Sequence, residues 1–95
     1  MPAYVIVETD VSDPDRYEHY KRLAESAIAA AGGRYVARGG ELAVLEGDWR
    51  PKRLVVLEFD DLAAAKRWYD SAEYSEARRA REGAAYLRMV AVEGA

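Results

Sequence analysis

KRLVVLEFDDLAAAKRWYDSAEY, residues 52–74, is the stretch of this sequence that decides its fold. The run from Arg53 to Phe59 is almost continuously apolar, which predicts a strand buried in the core. Asp60-Asp61 supplies a side chain that can cap a helix, and this helix is predicted to end at Trp68-Tyr69. Ser71 is a second helix start. A core strand is therefore followed by two successive helices, and the other elements must be arranged around them.

A strand and a long helix are predicted before this stretch. From Ala3 to Thr9, β-branched and aromatic residues occupy two faces that are both apolar at the centre. Asp13 can accept the free amide hydrogens of a helix start, and Pro14 suits the first helical position. Gly32-Gly33 ends the helix because glycine tolerates the left-handed conformation. The apolar stripe of this helix recurs at steps of three and four residues: Tyr17, Tyr20, Ala24, Ala27, Ile28 and Ala31.

Two further strand pieces are predicted between the long helix and the stretch that begins at residue 52. They run from Arg34 to Arg38 and from Leu42 to Glu46, with Gly39-Gly40 between them. This pair of glycines fits either a tight turn or a bulge within one long strand, and the sequence does not decide between the two. Gly47 to Pro51 is rich in turn-forming residues and leads into the strand at Arg53, which predicts an antiparallel pair.

The C-terminal part completes the order βαββαβ in a single domain of residues 1–95. Ser71 to Glu82 is an arginine-rich helix that Gly83 ends, and Ala85 to Val92 is a final strand. Short crossovers and right-handed connections favour a ferredoxin-like α+β sandwich. This fold is one four-stranded antiparallel sheet with its helices on one face.

The predicted strands are apolar on both faces, although helices on one side can cover only one of them. The residues concerned are Tyr4 to Val7, Leu54 to Phe59 and Ala85 to Val92. A monomer would therefore expose a large apolar patch. We expect a second copy of the chain to cover it, in a homodimer formed through the open face of the sheet.

Composition excludes several classes of function. The net charge is −3, with acids and bases spread along the chain, which argues against a nucleic-acid partner. There is no cysteine and a single histidine, so neither a cysteine-based site nor an all-protein zinc site is expected. No stretch resembles a signal peptide or a membrane span, and the sequence predicts a cytoplasmic protein with no membrane partner, metal or cofactor.

Several short motifs with a characteristic order and spacing span nearly the whole chain: Gly32-Gly33-Arg34-Tyr35, Arg38-Gly39-Gly40, Glu46-Gly47, Arg53, Val55-Val56-Leu57-Glu58-Phe59, Trp68-Tyr69-Asp70-Ser71, Tyr74 and Arg81. Taken together, they resemble the small DUF1330 proteins of the dimeric α+β barrel superfamily. Two positions depart from the pattern of that family: Asp60-Asp61 stands in place of a proline and a serine, and Ala72 in place of a proline.

The resemblance implies a homodimer whose sheets pack face to face. In the wider superfamily, which includes cofactor-free monooxygenases, a cavity between sheet and helices serves small-molecule chemistry. By analogy, we expect a cofactor-free enzyme acting on a small organic substrate in such a cavity. A non-catalytic module that binds a small metabolite and a purely structural homodimer are the alternatives.

Candidate substrate-binding residues come from this reading: Arg53, Glu58, Trp68, Tyr69, Tyr74 and Arg81. Glu58, in an apolar strand, suits a general acid or base, and its alternative is a salt-bridged strand glutamate. Trp68, Tyr69 and Tyr74 can form the aromatic wall of a pocket or simply part of the core. Arg81 suits an anionic substrate, unless it lies on a solvated helix face.

Three further expectations concern geometry. Arg53 lies five residues before Glu58 on one strand, so the two side chains should face opposite sides of the sheet. His19 should be exposed to solvent, on the face of its helix away from the apolar stripe. The break at Asp70-Ser71 should turn the chain and form the rim of a cavity.

Overall fold

The order of elements along the chain is βαββααβ, in a computed structural model that describes residues 1–95. The elements are β1 (Ala3–Val11), α1 (Pro14–Ala30), β2 (Arg34–Arg38), β3 (Leu54–Phe59), α2 (Leu62–Asp70), α3 (Ala72–Ala80) and β4 (Ala85–Glu93). The strands form one antiparallel sheet in the order β2-β3-β1-β4. The three helices cover one face, so the predicted ferredoxin-like sandwich is confirmed.

Alternate strand residues point into a single core beneath the helices. In β3 the inward residues are Val55, Leu57 and Phe59, and the last two are 1% exposed. The inward positions of β1 are likewise buried, from Ala3 to Thr9. The predicted stripe of α1 provides the opposite wall, since its tyrosines, alanines and isoleucine belong to the same cluster. Thr9 is the one buried polar side chain in this core.

Side-chain caps fix the helix starts at the predicted places. An Asp13 carboxylate oxygen accepts a hydrogen bond from the Arg16 amide at 3.2 Å. Of the two aspartates before α2, Asp61 is the cap, and it accepts from the Ala64 amide at 2.7 Å. Ser71 separates α2 from α3, because its hydroxyl donates to the Trp68 carbonyl and accepts from the Tyr74 amide. The predicted break at Asp70-Ser71 is therefore confirmed.

The predicted strand from Leu42 to Glu46 is wrong. Residues 39–53 form neither strand nor helix, and β2 ends at Arg38. Arg38 is paired with Val55, so continuing that register would set Leu42 opposite Pro51, which has no amide hydrogen to donate. Gly39 instead turns the chain away with φ +67°. The irregularity in β2 lies earlier, between Tyr35 and Ala37, so Gly39-Gly40 is not a bulge within a long strand.

The face of the sheet opposite the helices is apolar and open. Its most exposed residues are on the edge strand β4, where Tyr86 is 69% exposed and Val90 is 62% exposed. Ile6 and Val56 pair at the centre of the same face. Trp49, from the segment between β2 and β3, reaches over one end and donates a hydrogen bond to Glu8 at 3.3 Å. None of the helices combines the length and apolar character needed to cross a membrane.

Candidate functional site

A cavity lies between the sheet and the helices, and we call it the inner cavity. The space that the centre of a water molecule can reach is about 30 Å³, and the whole depression, including solvent at its open mouth, is about 410 Å³. A space of that size holds little more than one or two water molecules. Any larger ligand must therefore extend into the mouth. Elements from both layers provide the lining: Val7, Thr9, Tyr17, Tyr20, Lys21, Ala24, Ile28, Tyr35, Arg38, Arg53, Val55, Leu57, Trp68, Tyr74 and Leu87.

Two buried tyrosines from different helices meet at this cavity. The hydroxyls of Tyr20 on α1 and Tyr74 on α3 are 2.8 Å apart, and either can be the donor. Burial is the largest cause that raises the pKa of both phenols, and for Tyr20 the neighbouring Tyr74 raises the pKa further. Both therefore stay neutral at ordinary pH, so they can donate hydrogen bonds but are poor bases.

Three other polar groups of the lining have no partner: the Thr9 hydroxyl, the Nε of Arg53 and the indole Nε1 of Trp68. Thr9 on β1 is 1% exposed, yet its hydroxyl makes no hydrogen bond, and the buried Nε of Arg53 is also unpaired. Thr9 and Arg53 lie side by side, because the Thr9 amide donates to the Arg53 carbonyl at 3.0 Å. The Arg53 guanidinium packs on Gly39, so a side chain at that position would have to displace it. Buried polar groups in native proteins are nearly always satisfied, so an unpaired pair of donors points to a ligand or an ordered water.

Charges at the cavity are all positive. Lys21, Arg38 and Arg53 belong to the lining, which includes no acidic side chain and no histidine. Arg38 is neutralised from outside by Glu25 at 2.6 Å and stacks on the Tyr35 ring at 4.2 Å. Lys21 pairs with Glu18 at 2.7 Å on the same helix. Nowhere in the molecule do three His, Cys, Asp or Glu side chains come together closely enough to hold a metal ion.

A second depression, which we call the edge groove, lies between α2 and β4. It has a volume of about 330 Å³ and is lined by Val5, Ala65, Lys66, Trp68, Tyr69, Asp70, Met89, Val90 and Ala91. Trp68 also lines the inner cavity and stacks on Tyr74 at a ring-centroid distance of 4.2 Å. The indole therefore separates the two depressions. Asp70 lies on the edge groove, whereas Tyr74 lies on the inner cavity.

The structure brings together three of the six predicted substrate-binding residues. Arg53, Trp68 and Tyr74 all line the inner cavity. Tyr69 lies on the edge groove, where the Arg78 guanidinium covers its ring at 4.3 Å. Arg81 packs its guanidinium against the Tyr20 ring at 5.7 Å, behind the tyrosine pair.

Glu58 is not brought to the cavity. It lies on the open face of the sheet, opposite in direction to Arg53 as its position on the strand predicts, and Arg34 pairs with it at 2.6 Å. Glu8 and Arg88 form a similar pair at 2.6 Å near the other end of that face. Neither acidic residue contributes to the inner cavity.

Sequence reasoning missed several residues of the lining. Thr9 had a signal, because it shares a strand face with Val5 and Val7 and is the only hydroxyl on it. Tyr20 was assigned only to the apolar stripe of α1, and its hydroxyl contact with Tyr74 depends on how two distant helices pack. Nothing in the sequence indicated that Arg38 would line the inner cavity, because its position at the mouth of that cavity depends on where β2 ends.

The fold places the chain in the class of small ferredoxin-like α+β proteins, here with a mostly apolar cavity between sheet and helices. The chain belongs to the family described as "Domain of unknown function (DUF1330)", whose model matches residues 2–95. No functionally curated protein matches the chain.

Several solved structures share the fold at low sequence identity. The RPA0582 protein of unknown function from Rhodopseudomonas palustris has a TM-score of 0.73 and 21% identity, and the match covers 99% of this chain and 82% of that one. A dimeric ferredoxin-like protein of unknown function from Jannaschia sp. CCS1 has a TM-score of 0.71 and 14% identity, over 99% and 100% of the two chains. SnoaB, a cofactor-independent oxygenase from Streptomyces nogalater, has a TM-score of 0.66 and 12% identity, over 99% and 93%. At these identities the similarity shows the fold alone.

Proposed function

We propose that this protein is a homodimer that binds a small organic molecule in the inner cavity of each protomer. The observation that carries the proposal is the pair of unpartnered donors, Thr9 Oγ1 and Arg53 Nε, on the wall of one cavity. Leaving a buried polar group unpaired costs about 1–3 kcal/mol. A ligand oxygen at this wall would satisfy both groups, and the apolar lining would accept the rest of the molecule.

The chemistry that the cavity supports is polarisation of a bound oxygen rather than proton abstraction. Its donors are phenols, the Thr9 hydroxyl, the Trp68 indole and the cationic side chains of Lys21, Arg38 and Arg53, while no carboxylate or imidazole is present to act as a base. Such donors stabilise negative charge that develops on a carbonyl or enolate oxygen. A cofactor-free enzyme is therefore the second candidate, and the fold shared with a cofactor-independent oxygenase adds support by analogy.

The homodimer is proposed to form through the open face of the sheet. This face presents exposed apolar residues on β4 and the Ile6-Val56 pair at its centre, which a second copy would cover in an isologous contact. The relative from Jannaschia sp. CCS1 is itself described as dimeric. The helices would then lie on the outside, so each inner cavity would stay within its own protomer.

Thr9→Val tests the binding site directly. Valine fills the same space without the unpaired hydroxyl, so ligand-free protein should unfold at an equal or higher temperature than the wild type. Compounds that raise the melting temperature of the wild type should be bound more weakly by the variant. The screen uses small carboxylic acids, amides, phenols and ketones. Ser26→Ala, which removes an exposed hydroxyl from α1, is the control and should change neither property.

The two candidate functions give different results with any compound that binds. Consumption of that compound by the wild type, and slower consumption by Tyr20→Phe, would support an enzyme. Binding without consumption, in air and without added cofactor, would support a ligand-binding module. If no compound binds the wild type and Thr9→Val only changes stability, the cavity has a structural role and the proposal is wrong.

A further inference from the structure

Arg53, which directly precedes β3, has no acidic partner, unlike the three arginines within the strands of the sheet. Arg34, Arg38 and Arg88 each pair with a glutamate at 2.6 Å. Arg53 takes part in no salt bridge, although its side chain is partly withdrawn from solvent and its Nε is buried. A guanidinium in that setting is costly to the protein unless an anion approaches it.

The immediate surroundings of Arg53 favour an anion with two oxygens. Thr9, on the neighbouring strand, belongs to the same lining and its hydroxyl is unpaired. Lys21 and Arg38 are already paired with Glu18 and Glu25, so Arg53 is the one cation of the lining without an acidic partner. An arginine fork with an adjacent hydroxyl donor matches the planar geometry of a carboxylate.

The size and polarity of the inner cavity restrict the remainder of the ligand. Most of the lining is aliphatic or aromatic, and the two tyrosine hydroxyls are already bonded to each other. The space of about 30 Å³ that the centre of a water molecule can reach accepts only a small group. A heavily hydroxylated or multiply charged molecule would leave polar groups unpaired against Val55, Leu57 and Ile28.

We propose that the inner cavity binds a small apolar monocarboxylate, whose carboxylate is held by Arg53 and Thr9. This inference rests on the proposed function and adds to it the chemical class of the ligand. A side chain at Gly39 would push the Arg53 guanidinium out of its present position. The positive φ of Gly39, +67°, turns the chain away from the cavity at the same point.

Matched pairs of acids and amides test the inference. Acetate, propanoate and benzoate are titrated into the dimer by calorimetry at constant ionic strength, alongside acetamide, propanamide and benzamide. We expect the acids to bind and their amides, which have the same shape without the charge, to bind far more weakly. Arg53→Met should weaken binding of the acids roughly tenfold or more, since it removes a charge-assisted hydrogen bond. Arg50→Met, an exposed arginine of the same segment, is the control and should leave binding unchanged.

The stability of the ligand-free protein provides a second readout. If the partner of Arg53 is the anion of a ligand, the guanidinium does not stabilise the ligand-free protein, and Arg53→Met should keep or raise the melting temperature. Arg34→Met should lower the melting temperature, because it breaks an ion pair. A lower melting temperature for Arg53→Met, with unchanged binding of the acids, would mean that Arg53 is structural and would overturn the inference.

The outcomes separate this inference from the proposed function. Equal binding of acids and amides would overturn the carboxylate assignment and leave the cavity as a site for neutral molecules. Binding of inorganic phosphate in preference to all three acids would overturn it in favour of a general anion site. Absence of binding by every acid and amide would overturn the inference, whereas the binding function is contradicted only if the phenols and ketones of the wider screen also fail to bind.

Discussion

At the scale of single residues, the hydrogen bond between Tyr20 and Tyr74 is the contact on which the centre of the molecule depends. It joins two residues that are 54 positions apart in sequence, on different helices, at an oxygen distance of 2.8 Å. Tyr74 is fully buried and stacks on Trp68, so neither phenol can turn to solvent for another partner. The pair must remain protonated, because an ionised phenol would lose its hydration in an apolar setting.

We therefore expect the protein to lose stability in alkali. In the unfolded chain both phenols ionise near pH 10, whereas burial raises their pKa in the folded protein. The stabilising contribution is thus complete below about pH 10 and falls above it, by roughly 1.4 kcal/mol per pH unit for each such tyrosine. Urea unfolding between pH 9 and 11.5 measures this slope. Tyr20→Phe should make it shallower.

The control for this experiment is Ser26→Ala, which removes an exposed hydroxyl from α1 and changes no phenol. Its slope should equal that of the wild type. An equal slope in Tyr20→Phe as well would mean that the buried pair does not control the alkaline transition.

At the scale of the elements, helix starts depend on single capping side chains. Asp61 begins α2 through a 2.7 Å bond to the Ala64 amide, whereas the adjacent Asp60 is exposed and bonds to nothing. Ser71 ends α2 and begins α3 with one hydroxyl. The positions of Trp68 and Tyr74 in the lining of the inner cavity are consequences of these caps.

Asp61→Ala should lower the free energy of unfolding by about 1 kcal/mol, because it removes the cap of α2. Asp60→Ala changes the same side chain one position earlier and should have almost no effect. Chemical denaturation of both variants measures the difference. Equal stability of the two would mean that the α2 start does not depend on its cap.

Local signals explain which elements the sequence predicts and which it does not. The sequence predicts the helix ends from local residue types, namely capping side chains at Asp13, Asp61 and Ser71 and glycines after α1 and α3. The structure has the same caps and glycines at these places. The strand predicted from Leu42 to Glu46 has the right residue types but no partner within the protomer, because Pro51 cannot provide the ladder hydrogen bond. Strand propensity alone does not reveal whether a partner exists.

At the scale of the whole molecule, the two faces of the sheet have different consequences. The helix-covered face holds the inner cavity, while the open face carries exposed apolar side chains. Residue parity along each strand predicted this division. It did not predict which polar groups of the covered face remain unpaired, since that depends on where side chains from four strands and three helices end.

Val90→Lys should convert the dimer to a monomer. The substitution adds a positive charge to the open face beside Arg88. In a monomer the lysine would stay hydrated, because Val90 is 62% exposed. Within an apolar interface the same charge would lose its hydration, which is strongly unfavourable. Sedimentation velocity at micromolar concentration should show a species of 10.6 kDa for the variant and twice that mass for the wild type. Ala29→Lys, on the exposed side of α1, is the control and should remain dimeric. A monomeric wild type would show that the open face has no second copy bound to it.

The two tryptophans lie in environments so different that the protein contains its own pair of optical reporters. Trp68 is 2% exposed, within the core, whereas Trp49 is 54% exposed above one end of the open face. Dilution that separates the protomers should shift the fluorescence of Trp49 to longer wavelength and leave the blue emission of Trp68 unchanged until the chain unfolds. In Trp49→Phe the dilution signal should vanish while the denaturation signal persists, so the spectrum of the wild type would resolve assembly and folding in one cuvette without an added label.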